Sequence, residues 1–140
     1  GAAAVQVARR LGAGPRGQAM AGFAAVVGHC YPALAKFRGG KGVATGFGAI
    51  LSISPAVSLY PVAGGLAALA ASRIVSVGSL TAVTSAVAGA AVQRAKGRDQ
   101  AAIDFAVAAG LLIAYRHAAN VKRLIRGKEP RLSLRRGGRS

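Results

Sequence analysis

Between Gly28 and Thr45 the chain reads Gly-His-Cys-Tyr-Pro-Ala-Leu-Ala-Lys-Phe-Arg-Gly-Gly-Lys-Gly-Val-Ala-Thr, with a cationic, glycine-rich loop (Lys36, Arg38, Gly39, Gly40, Lys41, Gly42) between two apolar segments. Glycines let successive backbone N–H groups turn toward an anion without Cβ interference, and lysine adds a point charge beside them. The chemistry this suits is the holding of a phosphate at a membrane surface. The spacing is not that of a nucleotide-binding Gly-x-x-x-x-Gly-Lys-Ser/Thr loop. An ordinary interhelical turn with a snorkelling lysine accounts for the same residues. Two further clusters carry polar side chains. Ser76 and Ser79 stand three residues apart, on one helical face; hydroxyls in membrane helices also back-bond to their own carbonyls. His117, Asn120 and Arg123 follow at i, i+3 and i+6. An amide there can pair with hydroxyls and a guanidinium can hold phosphate bidentately, a combination suited to a polyol phosphate. The competing reading is an amphipathic helix lying on headgroups.

These residues must be positioned by elements with an unusual charge distribution. The 140 residues are 53% hydrophobic yet carry 19 Lys+Arg against 3 Asp+Glu, a net charge of +16; the mean hydropathy is +0.43. The charges are gathered in short clusters, and Gly42 to Ser72 and Ile74 to Gln93 contain none. Since about 20 apolar residues cross a bilayer as a helix, the chain is expected to be an all-α, polytopic membrane helix bundle of about five to six hydrophobic helices. A single domain is expected over 1–130, followed by a basic, disordered tail over 131–140. Nucleic acid is not expected as a partner: only 5% of residues are aromatic, and the uncharged runs need an apolar environment. One cysteine, Cys30, excludes an internal disulfide framework. His29 and His117 are far apart in sequence, so no metal site is expected.

Along the chain, residues 1–8 read as the tail of a helix and Leu11 to Gly17 as a loop. Gln18 to Ala35 forms a second apolar segment. The uncharged run from Gly42 contains Ser54-Pro55 and Tyr60-Pro61; proline removes a helical hydrogen bond, so the run divides into helices at about 43–53 and 56–71. Ile74 to Gln93 is a small-residue-rich helix suited to close packing. Arg94 to Gln100 is a polar loop, and Ala101 to Tyr115 is the last hydrophobic helix, with Asp104 inside it. Whether Gly42 to Ser72 crosses the membrane once or twice is not decided by charge.

In this order the clusters, Gly-His-x-x-Pro-x-x-x-x-Phe-x-Gly-Gly-Lys-Gly-Val-Ala-Thr, Arg-x-Val-Ser-x-x-Ser and His-x-x-Asn-x-x-Arg-Leu-x-x-Gly-x-Glu, closely resemble the bacterial acyl-phosphate:glycerol-3-phosphate acyltransferase family, PlsY. The resemblance runs up to Pro130. It implies a multi-pass enzyme of the bacterial inner membrane, its site facing the cytoplasm and Gly42 to Ser72 crossing twice. Such an enzyme transfers a fatty acyl group from acyl phosphate to the 1-hydroxyl of sn-glycerol 3-phosphate in phospholipid biosynthesis, with no cofactor or metal. Carried onto this sequence, Lys41 and His117 are the catalytic candidates. His29, Gly39, Gly40, Gly42, Thr45, Ser76, Ser79, Asn120 and Arg123 are the substrate-binding candidates. His117 is expected to position substrate, with a phosphate oxygen as the other proton acceptor. The implied partners are acyl phosphate, glycerol 3-phosphate and the lipid bilayer, with a monomer favoured. The family's first hydrophobic helix and first motif have no counterpart here, so the chain is expected to be an N-terminally truncated member, inactive as it stands. A small transporter subunit and a headgroup-binding protein are the alternatives.

Overall fold

The computed structural model describes residues 1–32, 39–97 and 100–132; Lys36, Arg38 and the residues from 133 lie outside them. Among the described residues it contains seven helices: α1 (Ala2–Arg10), α2 (Pro15–Cys30), α3 (Val43–Ile53), α4 (Pro55–Ser72), α5 (Val75–Ala95), α6 (Gln100–Arg116) and α7 (Ala118–Ile125). α4 and α5 are long and apolar enough to cross a membrane, and α6 with α7 forms a further candidate span bent by 58°.

Proline and left-handed residues set the boundaries. α2 starts at Pro15, not at Gln18 as the sequence reading has it, because a proline at the first helical position loses no bond the helix would have made. Pro55 likewise starts α4 directly after Ser54, whose extended backbone ends α3. Pro61 is accommodated inside α4, on a buried face. The α4–α5 turn is made by Arg73 in the left-handed region, φ 58°. There the Ser72 hydroxyl donates to the Ala68 carbonyl at 2.7 Å and accepts from the Ile74 N–H at 3.1 Å.

Helix packing relies on small residues. A Cβ on Gly89 would run into the Tyr60 ring, one on Gly64 into Ser85 Oγ, and one on Gly65 would come within 2.9 Å of the Ala82 Cβ. α4 and α5 therefore pack almost backbone to backbone, the close approach that small residues give membrane helices. The buried core is made largely of Ala and Val, while Leu59, Leu66 and Leu111 are exposed. Large apolar side chains outside and small ones inside suit a lipid surround. At one end of the bundle Arg9 ties three helices together, donating to the Ser52 carbonyl at 2.5 Å and to Gln18 Oε1 at 3.1 Å.

α3 is 11 residues, about 16 Å long and roughly half a hydrocarbon core. It leaves the end of the bundle that holds Lys41, and α4 returns there. Lys41, the start of α5 and His117 thus converge on one end, with the Arg9 clamp at the other.

Candidate functional site

At that end lies a polar cavity of about 320 Å³, lined by Lys41, Val43, Val75, Ser76, Ser79, His117, Asn120, Arg123, Glu129, Pro130, Arg131 and Leu132. Three local features build it. α5 opens with Ser76 and Ser79 in its first two turns. The bend after α6 lets His117 lead into α7, which carries Asn120 and Arg123 across the bundle end. The segment after α7 then folds back, and the Leu132 N–H donates to the Arg73 carbonyl at 2.7 Å.

The organising group is Glu129. Its Oε1 accepts from the Ser76 hydroxyl at 2.7 Å and from the Asn120 amide at 2.5 Å, and its Oε2 accepts from Arg123 Nε at 2.6 Å. The carboxyl is 6% exposed. The bonds from Asn120 and Ser76, then that from Arg123, hold it down at about 2, against a usual value of 4.5. Glu129 occupies one face of Arg123, leaving Lys41 and Arg131 as the cavity's other cations. His117 is 1% exposed, and its Nδ1 lies 2.8 Å from the Ile113 carbonyl. A carbonyl only accepts, so Nδ1 carries the proton and Nε2 is the nitrogen with a lone pair in the neutral ring.

Of the residues singled out from sequence, the structure brings Lys41, Ser76, Ser79, His117, Asn120 and Arg123 to this cavity. The others lie off its wall. A Cβ on Gly39 would meet the His29 carbonyl oxygen, and one on Gly40 would meet His29 Nε2, so His29 packs beneath the loop. Gly42 has φ 82° and starts α3, with Val26 and Cys30 at 2.9 and 3.0 Å from where a Cβ would stand. Thr45 is in the first turn of α3, its carbonyl oxygen against Gly1. These glycines serve close packing and a left-handed helix start. Arg116 was not singled out from sequence. Its Nη2 donates to the Gly39 carbonyl at 3.1 Å and its Nε to the Gly40 carbonyl at 3.3 Å, and its guanidinium lies 5.0 Å from the Tyr31 ring centroid. Glu129 closes the motif that begins at His117 and is one of three Asp and Glu residues in the chain, but its place as the hub of Ser76, Asn120 and Arg123 is seen only in the structure.

A second, apolar cavity of about 260 Å³ runs between α3, α4, α5 and α6. Val43, Val75 and Ser79 line both cavities, so the two meet at the start of α5. The far end of the apolar one is bounded by Ile50, Pro61, Ala86 and Phe105. Among the described residues no group of three or more His, Cys, Asp or Glu is placed to hold a metal.

The fold and site define an all-helical integral membrane protein with a cationic cavity opening onto an apolar one. The sequence profile of the glycerol-3-phosphate acyltransferase family matches residues 1–127. Glycerol-3-phosphate acyltransferases of Rubrobacter xylanophilus and Thermus thermophilus are each 39% identical to the chain, over 138 and 135 residues. These matches take in 99% and 96% of this chain and 68% and 66% of the relatives. A crystal structure of PlsY, an integral membrane glycerol 3-phosphate acyltransferase, in its glycerol 3-phosphate form superposes with a TM-score of 0.80 at 34% identity, covering 93% of this chain and 64% of that one. Its lysophosphatidic acid form gives the same score. The chain belongs to the glycerol-3-phosphate acyltransferase family, and it spans about two thirds of the length of these relatives.

Proposed function

We propose that the protein transfers a fatty acyl group from acyl phosphate to the 1-hydroxyl of sn-glycerol 3-phosphate, forming lysophosphatidic acid and inorganic phosphate. The observation that carries this reading is the junction of the two cavities at Ser79. One side offers His117, Asn120, Arg123 and Arg131 to a polyol phosphate and Lys41 to the leaving phosphate, and the other offers an apolar track to an acyl chain. Solved PlsY forms with glycerol 3-phosphate and with lysophosphatidic acid support the same pair of ligands.

Acyl phosphate is a mixed anhydride with a good leaving group, so no protein nucleophile is needed. The glycerol hydroxyl oxygen attacks the acyl carbonyl carbon, and the bond from that carbon to the phosphate oxygen breaks. The hydroxyl proton passes to His117 Nε2 or to a phosphate oxygen. The protein's contribution is to align two anions, which can be worth many orders of magnitude in rate. Lys41 offsets charge as phosphate departs. Ser76, Ser79 and Asn120 fix the glycerol, and Glu129 holds Ser76, Asn120 and Arg123 in place. Each acyl methylene buried in the apolar cavity adds about 0.8 kcal/mol.

The site is assigned to the cytoplasmic face of the bacterial plasma membrane, with the protein acting as a monomer. Among the described residues, Lys41, Arg73, Arg116, Lys122, Arg123, Arg126, Lys128 and Arg131 outnumber Arg9, Arg10, Arg16, Arg94 and Lys96 at the other end, in line with the positive-inside tendency. A transporter is disfavoured because Asp104 lies in the second turn of α6, accepting from Gln100 at 2.8 Å, and lines neither cavity.

The test is an acyltransfer assay in detergent with acyl phosphate and glycerol 3-phosphate. It uses the 140-residue chain and, in parallel, the chain extended by whatever its reading frame encodes upstream. Lysophosphatidic acid formed by wild type and reduced about 10²–10³-fold in Lys41→Ala, the range for loss of one charge-stabilising donor, supports the reading. Folded protein inert in both forms contradicts it.

A further inference from the structure

Arg116 ends α6 outside the polar cavity, yet its guanidinium reaches the glycine loop on the cavity's edge. It donates from Nη2 to the Gly39 carbonyl and from Nε to the Gly40 carbonyl, and its position over Tyr31 keeps the fork from swinging away. The planar trans peptide converts this into a statement about donors. In each peptide unit the C=O and the next N–H point in opposite directions, and the chain has no cis bonds among the described residues. Drawing the Gly39 and Gly40 carbonyls toward Arg116 therefore turns the N–H groups of Gly40 and Lys41 to the opposite side. Two consecutive N–H groups aimed alike form an anion-binding concavity, and the side chain of the second, Lys41, lines the polar cavity. Glycine backbones are readily turned, and among the described residues Arg116 is the group that holds the Gly39 and Gly40 carbonyls in this sense.

We propose that Arg116 is a positioning residue: by holding the Gly39 and Gly40 carbonyls it aims the Gly40 and Lys41 amides and the Lys41 ammonium at the phosphate that departs from acyl phosphate. This rests on the acyltransferase reading above and adds to it the group that orders the loop. Lysine cannot replace the fork, because one ammonium reaches both carbonyls poorly and does not stack as a guanidinium does.

The experiment measures kcat, the KM for glycerol 3-phosphate and inhibition by inorganic phosphate in wild type, Arg116→Met, Arg116→Lys, Lys41→Ala and the Arg116→Met/Lys41→Ala double variant. Arg116→Met is expected to lower kcat about 10²-fold and weaken phosphate inhibition in parallel, with the KM for glycerol 3-phosphate within about twofold of wild type. Arg116→Lys recovers about tenfold of that loss. In the Lys41→Ala background the Arg116 substitution costs much less, since both act on one phosphate. A thermal melt confirms folding, and Arg116→Lys serves if Arg116→Met does not fold. If wild type turns over while Arg116→Met keeps its kcat, the inference fails and the acyltransferase reading stands. Additive losses, or a lowered kcat with unchanged phosphate inhibition, also overturn it. A folded wild type inert both as the 140-residue chain and in its extended form removes both.

Discussion

The apolar cavity acts as a length gauge in this account, and Ala86 is where to test it. On α5 the lining runs from Ser79 at the junction to Ala86, and on α6 from Ile113 to Phe105. At about 1.5 Å per residue these tracks are about 10–12 Å long. C–C bonds of about 1.5 Å advance an extended chain by roughly 1.25 Å each, so about nine acyl carbons lie beside the cavity walls. A phenylalanine in place of Ala86 fills roughly the last 5 Å, about four methylenes. At about 0.8 kcal/mol each, that withdraws about 3 kcal/mol from a long chain and nothing from one that ends short of the block. Ala86→Phe should therefore change the ratio of kcat/KM for 16-carbon against 4-carbon acyl phosphate by about 200-fold in favour of the shorter donor. Ala86→Leu should give a smaller shift in the same direction. The assay is a competition between the two donors, read by mass spectrometry of the lysophosphatidic acids. An unchanged product ratio in a variant that still melts cooperatively would refute the placement of the acyl chain.

Other outcomes follow from the same geometry. Glu129 is held at about 2 in the folded protein against a usual 4.5. Its depressed value contributes stability that is present above 4.5 and lost as pH falls toward 2. Thermal melts across that window should show a loss that Glu129→Gln lacks. Gly42→Ala should destabilise by about 1–2 kcal/mol for the left-handed backbone alone, with the tight Val26 and Cys30 contacts adding to it, as read by denaturation in mild detergent. Gly89→Leu should loosen the α4–α5 pair, seen as a lower melting temperature, because the Tyr60 ring occupies the space its side chain needs.

Much of this architecture is written in the chain's punctuation. Ser54-Pro55 marks the α3–α4 break because a proline both disfavours helical geometry in the preceding residue and favours the start of the next helix. The small residues of α5 announce close packing, and the polar cluster from His117 to Arg123 stands out against its apolar neighbours. The glycine loop stands out in the sequence, but the part each glycine plays does not. Gly39, Gly40 and Gly42 look alike in sequence, yet two are pressed against His29 and the third starts a helix. Only tertiary contacts reveal which surface a glycine spares. His29 is displaced from the cavity for the same reason, since a motif fixes neighbours in sequence and not the direction of a ring. The roles of Glu129 and Arg116 are hidden because each has a partner far along the chain. Ser76 is 53 residues from Glu129, and the Gly39 carbonyl is 77 from Arg116; no local pattern encodes such pairs.

The most direct test of the whole account is a structure of the protein with lysophosphatidic acid, the product that carries both halves of the chemistry. The account predicts its phosphate and glycerol among Ser76, His117, Asn120 and Arg123, with the acyl chain passing Ser79 and running between α4 and α6 toward Ala86. A chain lying on the outer, lipid-facing side of the bundle, or a phosphate bound away from His117 and Asn120, would contradict it.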